Sequence, residues 1–239
     1  MKKFFKAIFL IALVLAGVLF GIRVYQQWQV KTLSETVYEL PENYEELPIA
    51  NIIVDYVFDP NDLNAHAGFV DYIFVGRVEE VTGVTYADAR LFYHDFPIAK
   101  IDAFPETGYK VTVLENIKGV LQKDITIKQG SGPSVNGKQM ELVTGEIMKE
   151  NDVRIFLMNT DENGELYVSS NHGAVMLGKL SDTENYSEFR EGEQVKETIE
   201  KYIDAFENQD ERHKIGETVR AFTMQIKIKK AVSVFLIQP

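Results

Sequence analysis

Cysteine is absent from all 239 residues. That excludes disulfides, thiolate zinc sites, iron–sulfur ligation, a cysteine nucleophile and a lipid-modified N-terminal cysteine. Basic residues are outnumbered, with 25 Lys+Arg against 36 Asp+Glu and a net charge of −11. Nucleic acid is not expected as a partner, because phosphate binding needs clustered Lys and Arg that release counterions. Only four histidines occur, His66, His94, His172 and His213, and none has H-x-x-x-H or H-E-x-x-H spacing. No metal or cofactor is therefore expected. Asp161-x-Asn163-x-Glu165 resembles the start of a calcium loop, but Leu166 stands where the sixth-position glycine belongs. Ser131 and Ser134 lie outside any G-x-S-x-G elbow, and Gly130-Ser-Gly-Pro133 lacks the ending of a phosphate loop. Lacking a catalytic constellation, the chain reads as a non-enzyme.

What the chain does have is one long apolar run near its start. Lys2, Lys3 and Lys6 precede uncharged residues 7–22. With Phe4, Phe5, Val24 and Tyr25 added, the run is long enough to cross a hydrocarbon core of about 30 Å at about 1.5 Å per residue. Tyr25 and Trp28 then fall at the far interface, where amphipathic rings settle. A cleaved signal peptide is the competing reading. Its one small-x-small site, Val14-Leu15-Ala16, would leave a greasy new N-terminus from Gly17. An uncleaved signal-anchor is favoured, with the lysine-flanked N-terminus in the cytoplasm and the rest outside the cell membrane as a single-pass protein. Residues 1–23 hold four of the basic residues and no acid, so the remainder carries 21 against 36, a net charge of −15.

The expected organisation is an anchor over residues 1–28, a polar stalk over 29–50, an extracytoplasmic domain over 51–210 and a basic tail over 211–239. Residues 51–58 read as a strand, and Asp59-Pro60 as the cap and first position of a short helix. The pattern then turns β. Residues 72–81 form a long strand bent at Gly76. Tyr109, Val111 and Val113 share one face of the next strand. Residues 124–128 alternate again, Asn136-Gly137 marks a turn, 153–158 read as a fully buried strand, and Gly164 closes a hairpin before 166–169. Residues 174–177 add a short last strand. Val195, Ile199, Tyr202, Ile203 and Phe206 form one helical stripe, which implies docking. The fold class is mainly β: a small antiparallel OB-like barrel with a docked C-terminal helix, after a single transmembrane helix.

The order 71–78 (DYIFVGRV), 109–119 (YKVTVLENIKG), Gly145, 154–157 (RIFL) and 164–167 (GELY) resembles the netrin-like OB domain of the metalloproteinase-inhibitor group, and also uncharacterised surface proteins of Gram-positive bacteria. The resemblance implies the barrel fold over about residues 69–178. The inhibitors' chelation of a target zinc through an N-terminal cysteine is not implied, since that residue is missing.

Between two strands, residues 83–107 read as a long loop carrying Tyr86, Phe92, Tyr93, Phe96 and Phe104. Loops of this length are often functional, and the candidate ligand-binding residues are Tyr93, His94, Asp95 and Phe96. A ring beside a hydrogen-bonding group suits a sugar or a peptide turn. The alternative is that the aromatics join the core. The expected function is a membrane-tethered extracytoplasmic binding module, its partners the membrane through the N-terminal helix and an envelope protein or glycan. A cell-envelope hydrolase built from distant acids, or a regulator inhibiting an envelope protease, are the alternatives.

Overall fold

The computed structural model describes residues 2–52, 58–95, 98–181 and 184–210. A long helix, α1 (Lys2–Glu35), comes first, and its segment Phe9–Glu35 is long and apolar enough to cross a membrane, a property it shares with signal sequences. A short strand β1 (Ile49–Asn51) and a helix α2 (Leu63–Phe69) lead into the sheet. Its strands are β2 (Tyr72–Asp95), β3 (Ile98–Lys118), β4 (Asp124–Gln129), β5 (Ser131–Pro133), β6 (Met140–Leu142), β7 (Asp152–Thr160), β8 (Leu166–Val168) and β9 (Ala174–Lys179). Helices α3 (Tyr186–Arg190) and α4 (Glu193–Glu207) follow.

Strands β2, β3, β4, β8 and β7 are neighbours in that order, and β7 pairs back onto β2, which closes a five-stranded barrel. All these pairs are antiparallel except β4 with β8. β9 continues along the same edge of β7 that β8 occupies. β5 and β6 form a hairpin, and β1 adds to it in parallel.

Period-two alternation sorts the strands into two cores. Phe74, Val78, Tyr109, Val111, Ile127, Phe156, Met158 and Leu166 fill the barrel interior. Ile73, Val75, Val153, Ile155 and Leu157 face outward and are buried under Ala67 of α2 and Ile199, Tyr202 and Ala205 of α4. β7 thus has both faces buried, which explains its unbroken apolar run. The α4 stripe docks as expected, with Val195, Ile203 and Phe206 packed at the margin. Gly76 sits at a register shift inside the barrel. A Cβ there would lie 2.7 Å from Val111 Cγ1, against the stacked Phe74 and Phe156 rings. Inside the barrel, the Tyr109 hydroxyl donates to Gln129 Oε1 at 2.8 Å and accepts from the Met148 N–H, and Gln129 Nε2 donates to the carbonyls of Thr144 and Glu146. Each buried polar group in this set has a partner, so the set rigidifies the core at little cost.

Three expectations are corrected. The cap of α2 is Asp62, whose side chain accepts from the Asn64 and Ala65 N–H groups; Asp59 instead holds the preceding turn through Asn61 N–H. Residues 83–107 are not a loop over the described positions. β2 and β3 run on as a two-stranded ribbon, paired from Gly83↔Gly108 out to Asp95↔Ile98. The segment after α1 does not stand free either. Tyr38 pairs with Val84, and Leu33 and Leu40 pack on Val84, Tyr86 and Ala103 of the ribbon. Gly83 permits this approach, since it has φ +119° and a Cβ there would lie 2.7 Å from the Tyr38 carbonyl. The strand expected over 51–58 and the tail over 211–239 fall largely or wholly outside the described residues.

Candidate binding face

β4 alternates so that Ile125 and Ile127 face the barrel interior, which leaves Asp124, Thr126 and Lys128 on the outside. The neighbouring outward positions come from β3 (Glu106, Gly108) and from Glu165 and Tyr167 at the start of β8. Register places Gly108 opposite Lys128 and Lys128 opposite Tyr167. Gly108 contributes no side chain, and a groove of about 400 Å³ opens there, lined by Thr82, Gly108, Asp124, Thr126, Lys128 and Glu165 among others.

Lys128 organises one end of the groove. Its Nζ lies 2.7 Å from Glu165 Oε2, 3.8 Å from Glu106 Oε2 and 3.3 Å from the Tyr167 hydroxyl, and 5.5 Å from the centre of the Tyr167 ring. The Tyr167 hydroxyl donates to Glu165 Oε2 at 2.9 Å. Glu106 is the least exposed acid here, its side chain 17% accessible. Burial pushes its carboxyl up to about 7; Lys128 opposes that shift, and Glu165, Asp88 and Asp161 add to it. The Glu165 carboxyl is held below the usual range by the hydrogen bond from Lys128, and burial raises the Tyr167 phenol. The site therefore offers one cation already shared by two carboxylates, plus a carboxyl poised between donor and acceptor near neutral pH.

The strand pairing matters as much as the charges. β8 pairs with β4 only at Ile127↔Leu166 and Lys128↔Tyr167, whereas β3 pairs with β4 from Asp124 to Gln129. Among the described residues, positions 124–126 therefore have a strand neighbour on one side only. The hairpin that turns β8 away is built by Asp161, whose Oδ1 accepts from the Asn163 and Glu165 N–H groups at 2.9 and 2.8 Å, with Gly164 at φ +82°. These contacts account for the calcium-like spacing as turn chemistry.

A second polar pair lies under α2. His66 is fully buried, its Nε2 is 2.7 Å from Ser169 Oγ, and Nδ1 has no hydrogen-bond partner among the described residues. Burial, with His172 nearby, depresses its pKa to about 4, so it is a neutral ring. With no acid among the described residues bonded to the imidazole, this pair has two of the three parts of an activated-serine arrangement. Ser131 and Ser134 are occupied elsewhere: Ser131 Oγ donates to the Gly145 carbonyl, and Ser134 bonds Asn136.

Of the sequence-derived site residues, Tyr93, His94 and Asp95 are consecutive at the outer end of β2, and Phe96 lies outside the described residues. Sequence reasoning missed Glu106, Lys128, Glu165 and Tyr167 as a set, because they come from separate parts of the chain that meet only where β3 pairs with β4 and β4 with β8. No protein-family model matches this chain, and no curated protein matches it in sequence.

Proposed function

We propose that this chain is a membrane-tethered extracytoplasmic binding module, not an enzyme, and that its barrel, of OB type, presents the β3–β4–β8 face to an extended polypeptide bearing a basic group. The strand order with its parallel β4–β8 pair supports the OB reading and, with it, the likeness to netrin-like domains. In OB barrels the central strands and the loops flanking them form the ligand surface. The carrying observation is the groove beside the half-paired strand β4, where an added strand would gain main-chain hydrogen bonds and Glu106 and Glu165 would face a cation. The lysines in the first turns of α1, ahead of its apolar run, support a cytoplasmic N-terminus and an outward-facing barrel.

The test is a photo-crosslinking amino acid placed at Thr126 in the full chain, in the cells that make it. A discrete adduct is expected from Thr126 and lost on Glu165→Lys, which puts a cation where the proposed basic group would sit. None is expected from exposed Met176 on β9. Equal labelling from both positions, or none from Thr126, refutes the assignment.

A further inference from the structure

The open edge of β4 has two unlike faces and a short row of backbone groups. The Lys123 carbonyl accepts from Val113 N–H at 2.7 Å. Strand alternation then turns the backbone groups of Ile125 toward β3 as well, and those of Asp124 and Thr126 toward the open side. On the outer face, Asp124 and Glu165 line the groove with Lys128, and Lys128 is already shared by Glu165 and Glu106. On the inner face the barrel mouth is incompletely covered. Val113, Leu121 and Ile125 pack on the core but are only half-buried, and Val120 beside them is 85% exposed. A strand with one basic face and one apolar face would suit both sides.

The sequence holds such a stretch. Residues 222–229 (FTMQIKIK) alternate strictly, with Phe222, Met224, Ile226 and Ile228 on one side and Thr223, Gln225, Lys227 and Lys229 on the other. Residues 221–239 carry Lys227, Lys229 and Lys230 and no acid, in a chain whose net charge is −11. The stretch lies beyond Asp210, the last described residue. The chain also departs from a suitable place. Gln209 Oε1 accepts from Lys118 Nζ at 2.7 Å, at the end of β3, and Leu121 comes three residues later. Those links keep Asp210 within about 30 Å of Leu121, while residues 211–221 span up to about 36 Å when extended.

We propose that residues 222–229 are the resident occupant of the groove, added to the open edge of β4 as a short parallel strand that an outside polypeptide must displace. This rests on the reading of the groove as a polypeptide site. Parallel is the direction that β8 takes beside β4. With Phe222 beside Leu121, the register brings Ile226 beside Ile125 on the inner face. Gln225 and Lys227 then fall beside Asp124 and Thr126 on the outer face, and the lysines arrive at the end of the groove held by Glu165 and Glu106. The binding face is thereby self-occupied until a stronger strand competes for it.

Because the chain has no cysteine, disulfide scanning of the full chain in detergent micelles reads the pairing directly. Thr126→Cys is combined in turn with Gln225→Cys, Ile226→Cys, Lys227→Cys and Ile228→Cys, mildly oxidised and mapped by mass spectrometry. Crosslinks within one chain are expected at 225 and 227, exceeding those at 226 and 228 by about threefold, since alternate side chains of a strand share a face. The same tail positions paired with Met176→Cys, on exposed β9, should give low yields without alternation. Equal yields along the tail, or yields matched by Met176→Cys, overturn the proposal. The same alternation in disulfide-linked dimers also overturns it, by assigning the strand to a second copy. Ile226→Asp with Ile228→Asp removes the apolar face, and the partner photo-adduct from Thr126 in cells should then rise about twofold. An adduct that forms but does not rise overturns the self-occupied site alone and leaves the polypeptide reading standing. Alternating crosslinks with no adduct from either chain overturn the partner reading and leave the resident strand standing.

Discussion

The barrel wall made by β7 and the start of β2 is covered by α2 and α4, whereas the wall made by β4 and β8 carries charged and hydroxyl side chains around an open groove. Both walls are built from alternating strands, and the inward residues of both belong to the same core. The difference lies in the outward set: Ile73, Val75, Val153, Ile155 and Leu157 on one wall, Glu106, Thr126, Lys128 and Tyr167 on the other. Apolar outward residues require a cover, and α4 supplies it with a complementary stripe. Polar outward residues need none and remain available to a ligand. Among the groups displaced by burial are His66 under the helices and Glu106 beside the groove, and these two are displaced so that their pH effects run in opposite directions.

The sharpest way to break this comparison is to truncate one residue from each wall. Ile199→Ala removes a fully buried side chain between α4 and the barrel and is expected to destabilise the chain by about 2–5 kcal/mol, the range for large-to-small core changes. Thr126→Ala on the exposed groove floor should stay within about 0.5 kcal/mol. Equilibrium urea unfolding of both variants checks the contrast. Similar losses would mean that the groove wall is as structural as the helix-covered one.

The second test uses His66. Its folded pKa is depressed to about 4 from an ordinary 6.5. Below about pH 6.5 the unfolded chain gains a proton that the native ring does not take up, so this group's stability contribution is present above that pH and falls away toward pH 4. At about 1.36 kcal/mol per pH unit the loss amounts to about 3 kcal/mol. The stability–pH profile of His66→Gln should be flatter than wild type by about that amount between pH 6.5 and 4. A parallel profile would show that the ring is not held neutral.

How much of this was legible in the sequence depends on whether a feature is local. The α4 stripe, the doubly buried β7 run, the bend at Gly76 and the Asp161–Gly164 turn all depend on neighbours within a few residues, and all were readable. The ribbon was not, and its bulges explain why. Register shifts fall between Val81 and Gly83, Ala87 and Arg90, and Phe92 and Asp95, and Asp88 has φ +52°. Each shift resets the phase of the alternation, so a strand of 24 residues shows no sustained period of two and reads as a loop. The cap moved from Asp59 to Asp62 because two acids three residues apart compete for one helix start, and sequence alone does not rank them. The groove was the least legible, since Glu106, Lys128 and Glu165 converge only through barrel closure.

The third test is the smallest and bears on the groove itself. Glu106 has its folded pKa raised to about 7 from 4.5, chiefly by burial. For an acid shifted upward, the native state resists ionisation. Stability is unaffected below about pH 4.5, falls as the unfolded chain ionises between 4.5 and 7, and then levels off. Glu106→Gln removes that cost and also removes a partner 3.8 Å from Lys128, which tempers the gain. The expected result is no change at pH 4 and a gain of about 2 kcal/mol at pH 8. A thermal melt of wild type and variant at the two pH values reads it directly. The sign is opposite to that of His66: one wall loses stability on acidification, the other on alkalinisation. If the variant is destabilised at pH 8 instead, the Lys128–Glu106 contact outweighs the burial cost. The groove would then be a fixed ion-pair network and not a carboxyl kept near neutrality for a cationic ligand.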